Sequence, residues 1–380
     1  MKLNPKYNAS DVTIFTEMTL LAQKHNSINL AQGFPDYETD LRLKNLLSKA
    51  TNSNHNQYTS LGGNPLLLEN LKIFNANRKN SISINVNEIT IIPGATYGIY
   101  TALLSTIDFG DEVIIIEPAY DCYQPAIEMN GGIAQYISLD ENFNVNWNEL
   151  KSKITEKTKA IIVNTPHNPT GKIWTENDWN QLWEVIKNTE IIVISDEVYD
   201  LLTYDDHVFV SILQHQELRH RSFAVFSFGK MFHITGWKVG YIVSNEEFTK
   251  ALRRNHQYIT FCINAPAQQA IAEYLEIFNV EENQKMMQQK RDFFLSEIKN
   301  TPFTIREATQ GSYFQVLGYE NISKLDDKSF AYWLTENHKV TTIPMNAFFH
   351  DLRDTQQVRF CFSKKEETIL EAIKNLQNIQ

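Results

Sequence analysis

The chain has only three cysteines, Cys122, Cys262 and Cys361, in 380 residues. Their spacing offers neither a paired metal motif nor a disulfide framework, and a reducing cytoplasm suits them best. Long apolar runs are also missing. The longest, such as Val113 to Ile116 and Ile191 to Ile194, fall far short of the ~20 residues that a membrane-crossing helix needs. Met1-Lys2-Leu3-Asn4-Pro5 is followed by polar residues, so no signal-type apolar segment is expected. Positive charge is scarce as well. Thirty-five basic side chains against 45 acidic ones leave a net charge of −10, which argues against a general nucleic-acid or anionic-membrane surface. No internal repeat, low-complexity tract or long flexible linker is visible.

What is present is a globular profile, 42% apolar and 21% charged, long enough for two or three domain-sized units. Short β-branched runs alternate with helical patterns. The candidate strands are Ile89–Ile92, Glu112–Ile116, Ile133–Ile137, Ala160–Val163, Ile191–Ser195, Phe223–Ser227 and Gly240–Val243. Amphipathic stretches such as Gly98–Thr106 and Asp178–Lys187 lie between several of them. That alternation predicts an α/β unit with a mostly parallel sheet covered by helices. After about Glu282 a long helical pattern runs through Lys299, and an α+β-looking segment follows to the C-terminus.

Polar, turn-forming clusters follow the apolar runs: Pro93-Gly94-Ala95-Thr96, Pro118-Ala119-Tyr120, Asn164 through Gly171, Asp196-Glu197 and Gly229-Lys230. Ligands of open α/β sheets bind beyond the carboxyl ends of the strands, so these clusters are expected to converge on one crevice.

Lys230 is the most informative residue among them. It follows the apolar run Phe223 to Phe226, with Ser227 three residues before it and Lys238 eight after it. A lysine emerging from the interior is costly to keep charged, so its amine is easier to deprotonate and able to attack a carbonyl. A nearby hydroxyl and a second cation suit a phosphate, and an amine nucleophile beside a phosphate seat is what pyridoxal phosphate requires. A lone lysine at a strand end would more simply pair with a surface carboxylate. Pro93-Gly94-Ala95-Thr96 leads into a helical run beginning near Tyr97, where free backbone N–H groups offer a further phosphate seat. Asp196 ends an apolar run. It suits either a cation such as a protonated pyridine nitrogen, or a helix N-cap. Arg359 is a polar position inside the apolar strand Val358 to Phe362, where a guanidinium must be paired, either with a bound carboxylate or in an internal salt bridge.

The segment Phe226 to Tyr241 resembles the Schiff-base lysine segment of the class I (fold type I) pyridoxal-phosphate-dependent aminotransferases. The resemblance extends from Gln32 to Phe362. It implies the PLP-dependent transferase fold, with a large α/β domain over residues 44–282 and a smaller α+β domain made from residues 1–43 and 283–380. It also implies pyridoxal 5'-phosphate as cofactor, with Lys230 as the Schiff-base lysine and Ser227, Lys238, Ala95 and Thr96 on the phosphate. Tyr97 stands where the family often has glutamate, a departure that leaves backbone contacts intact. In Asn168-Pro169-Thr170-Gly171 the resemblance gives Asn168 contacts to both cofactor and substrate carboxylate. In Asp196-Glu197-Val198-Tyr199 it places Asp196 on the ring nitrogen and Tyr199 on the phenolate oxygen. Tyr120 matches the aromatic that stacks on the ring, and Tyr58 the tyrosine that reaches the neighbouring subunit's phosphate. Arg359 matches the clamp on the substrate α-carboxylate, with the Gly33 backbone closing over it. Phe261 is either a wall of the partner's pocket or core packing. His167 supports its loop rather than acting as base, Lys230 being the better base, and Cys122 is a small packing residue.

These roles imply ping-pong transamination between an amino acid and a 2-oxo acid in a cytoplasmic homodimer with shared active sites, free of metal, nucleic acid and membrane. Lysine at Lys238, where many members have arginine, is usual in the methionine and kynurenine/glutamine branch. Phe228-Gly229-Lys230, His233 to Lys238 and His256-Gln257-Tyr258 look most like bacterial methionine aminotransferase. No motif supplies a second arginine for a dicarboxylate, so apolar, sulfur-containing or aromatic amino acids are expected. Kynurenine or aromatic transamination and cysteine-S-conjugate β-elimination are the alternatives. A non-catalytic cofactor-binding regulator ranks behind them, because such regulators carry an added DNA-binding domain, for which no room is expected before Gln32.

Overall fold

The computed structural model describes residues 12–379. The Met1–Pro5 reading, and the first eleven residues of the expected smaller domain, lie outside the described residues. Seven strands form the central sheet: β1 (Ile89–Ile92), β2 (Glu112–Glu117), β3 (Ile133–Ser138), β4 (Thr158–Asn164), β5 (Ile192–Asp196), β6 (Ser222–Ser227) and β7 (Gly240–Ser244). Their spatial order is β1-β7-β6-β5-β4-β2-β3. All pairings are parallel except those of β7, which runs antiparallel to both β1 and β6.

Each expected strand forms, with ends within two residues of the sequence reading. Apart from the partly exposed edge strand β3, the sheet is buried on both faces, and the alternation is explicit. Ile161, Val163 and Val193 pack into one apolar cluster, while Ala160, Ile162 and Ile194 pack into another. Helices cover both faces. Ala95–Leu104 contributes Ile99, Ala102 and Leu103 to one side, and Glu176–Ile186 contributes Trp179, Leu182 and Ile186 to the other.

Two helices begin earlier than the apolar pattern predicts. Ala95–Leu104 starts directly after Gly94, whose φ of 88° turns the chain at the end of β1 without a Cβ clash. Glu176–Ile186 starts where Thr175 and Asp178 form a reciprocal capping box.

A third apolar cluster brings residues early in the described chain together with residues late in it. Met18 and Leu21, from the helix Ile14–His25, meet Met287, Phe294 and Ile298 from the helix Val280–Ile298. They pack with a small antiparallel sheet of β8 (Phe314–Gly318), β9 (Ile343–Pro344) and β10 (Gln357–Cys361), ordered β9-β10-β8. Ile28–Asn29 pairs in parallel with Val340–Thr341, which ties the N-terminal segment to this cluster. The arrangement brings Gly33 and Arg359 over the carboxyl ends of the central strands.

Candidate active site

The carboxyl ends of β1, β2, β4, β5 and β6 open on a cavity of about 980 Å³. Gly33, Ala95, Thr96, Tyr120, Asn168, Asp196, Tyr199, Ser227, Lys230, Lys238 and Arg359 all line it. Tyr58 does not. It is 84% exposed on the surface, its ring 5.6 Å from that of Phe261.

One corner suits a phosphate. No side chain caps the first turn of the helix Ala95–Leu104, so its N–H groups stay free for a ligand. Lys238, in a left-handed conformation at φ 54°, brings its amine against Gly94, where a Cβ would lie 3.1 Å from Nζ. Ser227 ends β6 at the same corner. The Tyr97 hydroxyl is taken up by His256 Nδ1 at 2.8 Å.

Asp196 ends β5 and is 4% exposed. The Tyr123 hydroxyl donates to its Oδ2 at 2.7 Å, and the Val198 N–H reaches Oδ1 only at 3.4 Å. Burial dominates and pushes its carboxyl up to about 6, the mark of a carboxylate awaiting a cation. Because Asp196 is held by a tyrosine and caps no helix, the N-cap alternative does not apply.

Lys230 lies in the short helix Phe228–Met231. Its Nζ donates to the Tyr313 hydroxyl at 2.7 Å and to the Gly33 carbonyl at 3.1 Å. Burial lowers its pKa from 10.5 to about 8. Tyr313 in turn donates to the same Gly33 carbonyl. A Cβ on Gly33 would meet the Phe314 ring at 2.7 Å, so only glycine lets this segment approach so closely.

Arg359, in β10, is 1% exposed. Its Nη1 donates to Asn168 Oδ1 at 2.6 Å and its Nη2 to the Ala31 carbonyl at 2.9 Å. Its Nε is buried with no partner, and among the described residues no carboxylate forms an ion pair with it. The internal salt bridge considered from the sequence is therefore absent there. Phe314, Phe348 and Phe15 surround the guanidinium carbon, with ring centres at 3.7, 5.1 and 5.4 Å. Burial lowers its pKa to about 10, which still leaves it charged at neutral pH.

Asn168 is held from behind, its N–H donating to Asn164 Oδ1 at 2.7 Å, while Asn164 Nδ2 donates to the Asp196 carbonyl at 2.8 Å. His167 stands outside the cavity, its Nδ1 against Thr170 Oγ1 at 2.7 Å, and burial lowers its pKa to about 4. It is neutral at working pH and supports the turn. Cys122 borders the cavity, and burial pushes its thiol well up, so it packs as a neutral group.

A buried amine, a buried carboxylate and a buried guanidinium, the last two hydrogen-bonded but in no ion pair among the described residues, can around one cavity bind an amino acid and move a proton at its Cα. The sequence reading missed Tyr123, Tyr313, Phe15 and Phe348. Tyr123 alone carried a signal, lying three residues after Tyr120 on the same turn.

The sequence profile described as "Aminotransferase class I and II" matches residues 25–376. The chain belongs to the class I and II aminotransferases. Methionine aminotransferase of Escherichia coli strain K12 is 39% identical over 97% of this chain and 96% of its own length. Kynurenine–oxoglutarate transaminase 3 of Mus musculus is 32% identical over 94% and 86%. Among solved structures, an Escherichia coli protein with methionine aminotransferase function matches at a TM-score of 0.95 and 38% identity, covering 99% of both chains. This aminotransferase thus shares fold and family with those proteins over nearly its whole length.

Proposed function

We propose that this aminotransferase carries the amino group of L-methionine, or of another apolar or aromatic L-amino acid, to a 2-oxo acid with pyridoxal phosphate as cofactor. The observation that carries the substrate class is the charge inventory of the cavity. Its cationic side chains, among the described residues, are Lys230, Lys238 and Arg359. The first two suit the cofactor, and Arg359 spends two of its five N–H donors on Asn168 and Ala31, which leaves three, the buried Nε among them, for a single carboxylate. Among the described residues no further cation lines the wall for a second one, while Phe15, Tyr120 and Phe314 line it with aromatic surface.

The residues present fit pyridoxal phosphate. The free N–H groups at Ala95 and Thr96, with Ser227 and Lys238, would hold its phosphate. Asp196 would keep its ring nitrogen protonated, Tyr120 would flank the ring, and Asn168 and Tyr199 would donate to its ring oxygen. When bound, the cofactor supplies an electron sink for the pair left as the substrate Cα–H bond breaks. Arg359 binds the substrate carboxylate, and the aromatic rings around it keep water away, which strengthens the pair. Lys230, its pKa near the working pH, takes the proton from Cα and returns it on the reverse half-reaction.

We infer in addition a large domain over residues 44–282 and a smaller one from both chain ends, in a homodimer with shared sites. Exposed Tyr58, Tyr258, Ile259 and Phe261 support such an interface. No helix among the described residues is long and apolar enough to cross a membrane, and free thiols at Cys122, Cys262 and Cys361 fit a reducing cytoplasm.

The test is oxo-acid release from L-methionine, L-kynurenine and L-aspartate by the purified protein supplied with pyridoxal phosphate and a 2-oxo acid acceptor. Methionine is expected to exceed aspartate. Equal or faster release from aspartate overturns the substrate class, and no release from any overturns the activity.

A further inference from the structure

Among the described residues five charged side chains line the cavity: Asp121, Asp196, Lys230, Lys238 and Arg359. Four have a use in the reading above. Asp121 has none. It follows Tyr120 and stands half-buried just before the helix Tyr123–Met129. No side chain caps that helix, so Asp121 does not serve as its cap.

Other acids at the carboxyl ends of these strands are paired. Asp196 accepts from Tyr123 at 2.7 Å, Glu117 from His350 Nδ1 at 2.9 Å, and Glu197 from Ser195, Ser211 and the Ile212 N–H. The Asp121 carboxylate, among the described residues, forms no ion pair and no hydrogen bond with another residue. Burial pushes its pKa up to about 6, and Arg359 is the cation that opposes the shift. It is mostly ionised at about pH 8. A half-buried carboxylate that lines the cavity without a partner among the described residues is left to act on whatever enters it, which suits a use in recognition.

We propose that Asp121 is a specificity-determining residue, its unpaired carboxylate repelling amino acids with acidic side chains from the cavity that Arg359 would otherwise attract. The inference rests on the transaminase reading above and adds an active rejection to the lack of a second cation. Arg359 draws in any amino acid through its α-carboxylate. A second carboxylate in the same cavity then meets a fixed like charge, whereas a thioether or aromatic side chain does not.

The experiment compares wild-type holoenzyme with Asp121→Asn, which keeps the shape and removes the charge, and with Asp121→Ser as a second variant. The ratio of kcat/KM for L-glutamate to that for L-methionine is expected to rise about tenfold or more in both. Affinity for glutarate, a non-reacting dicarboxylate, is expected to rise by a similar factor relative to pentanoate, read by calorimetry. Ratios within about twofold of wild type by both measures overturn the proposal. So does a loss of glutamate use or glutarate binding in the variants, which would mean that Asp121 pairs with a cation supplied by the partner subunit. Wild-type turnover of aspartate or glutamate as fast as methionine overturns the substrate class itself, an outcome visible before any variant is made.

Discussion

Removing the Tyr313 hydroxyl tests how this fold tunes its central amine. Lys230 Nζ has two acceptors, the Tyr313 hydroxyl at 2.7 Å and the Gly33 carbonyl at 3.1 Å. Burial lowers its pKa from 10.5 to about 8, with the charges of Arg359 and Lys238 adding to the effect. At pH 7 about a tenth of the amine is then neutral, against about three parts in ten thousand for an ordinary lysine. That is a gain of about 300-fold in the reactive form. Neutral acceptors favour the ammonium, and a hydrogen bond to a charged group is worth about 1.5 kcal/mol net. Tyr313→Phe therefore removes roughly one unit of support, and the amine of the variant should titrate near pH 7. Trace acetylation of cofactor-free protein from about pH 6 to pH 11, with the Lys230 peptide quantified against exposed lysines, reads the midpoint directly. A wild-type midpoint near 10 would refute the burial argument. An unchanged or raised midpoint in Tyr313→Phe would refute the role given to its hydroxyl.

Three further outcomes follow from the same geometry. Arg359→Gln should raise KM for the amino acid by about a hundredfold in steady-state kinetics, with Arg359→Lys recovering little because an ammonium cannot fork onto a carboxylate. Asp196→Asn should abolish transamination yet stabilise the cofactor-free protein. The folded pKa is raised from 3.8 to about 6, so this carboxyl's contribution to stability is present below 3.8 and lost as pH rises through 6. The gain on substitution should be about 2–3 kcal/mol in urea unfolding near pH 8 and should vanish near pH 4. Gly94→Ala should weaken cofactor retention on dialysis by about tenfold or more, because the new methyl strains a backbone at φ 88° and stands 3.1 Å from Lys238 Nζ.

The strands were legible because each is a short β-branched or apolar run closed by a turn, and all but the partly exposed edge strand β3 are buried on both faces. The groups at their ends were legible for the same reason, since a lysine, aspartate or Asn-Pro turn directly after a buried strand must emerge on the sheet's carboxyl edge. Arg359 could be recognised as a guanidinium needing a partner. That its fork meets Asn168, 191 positions earlier in the chain, could not be read from the pattern. Tyr313 sits beside Gly33 across 280 positions, and its phenol carries no sequence mark of chemistry. Phe15 and Phe348 look like core residues, and only the placing of the helix Ile14–His25 and of the turn Met345–Phe348 in the folded chain turns them toward the guanidinium. Local pattern thus specifies the edge of a sheet but not which distant segment folds down over it.

The order of the site along the chain also differs from its order in space, and the sheet topology supplies the difference. By sequence the groups run Gly94, Tyr120, Asn168, Asp196, Ser227, Lys238. Across the strand order β1-β7-β6-β5-β4-β2 they run Gly94, Lys238, Ser227, Asp196, Asn168, Tyr120. The rearrangement collects the phosphate-type groups at one end, on three adjacent strands, and leaves the Asp196 carboxylate next to them. The reversal comes from the crossover that separates β1 from β2 across the sheet, and a single antiparallel insertion adds Lys238. β7 enters between β1 and β6, so its leading residue Lys238 arrives at the carboxyl edge of both neighbours. A parallel β7 would put Lys238 at the opposite edge of the sheet, far from Gly94. The one strand that breaks the parallel pattern is therefore what delivers the second cation to the site.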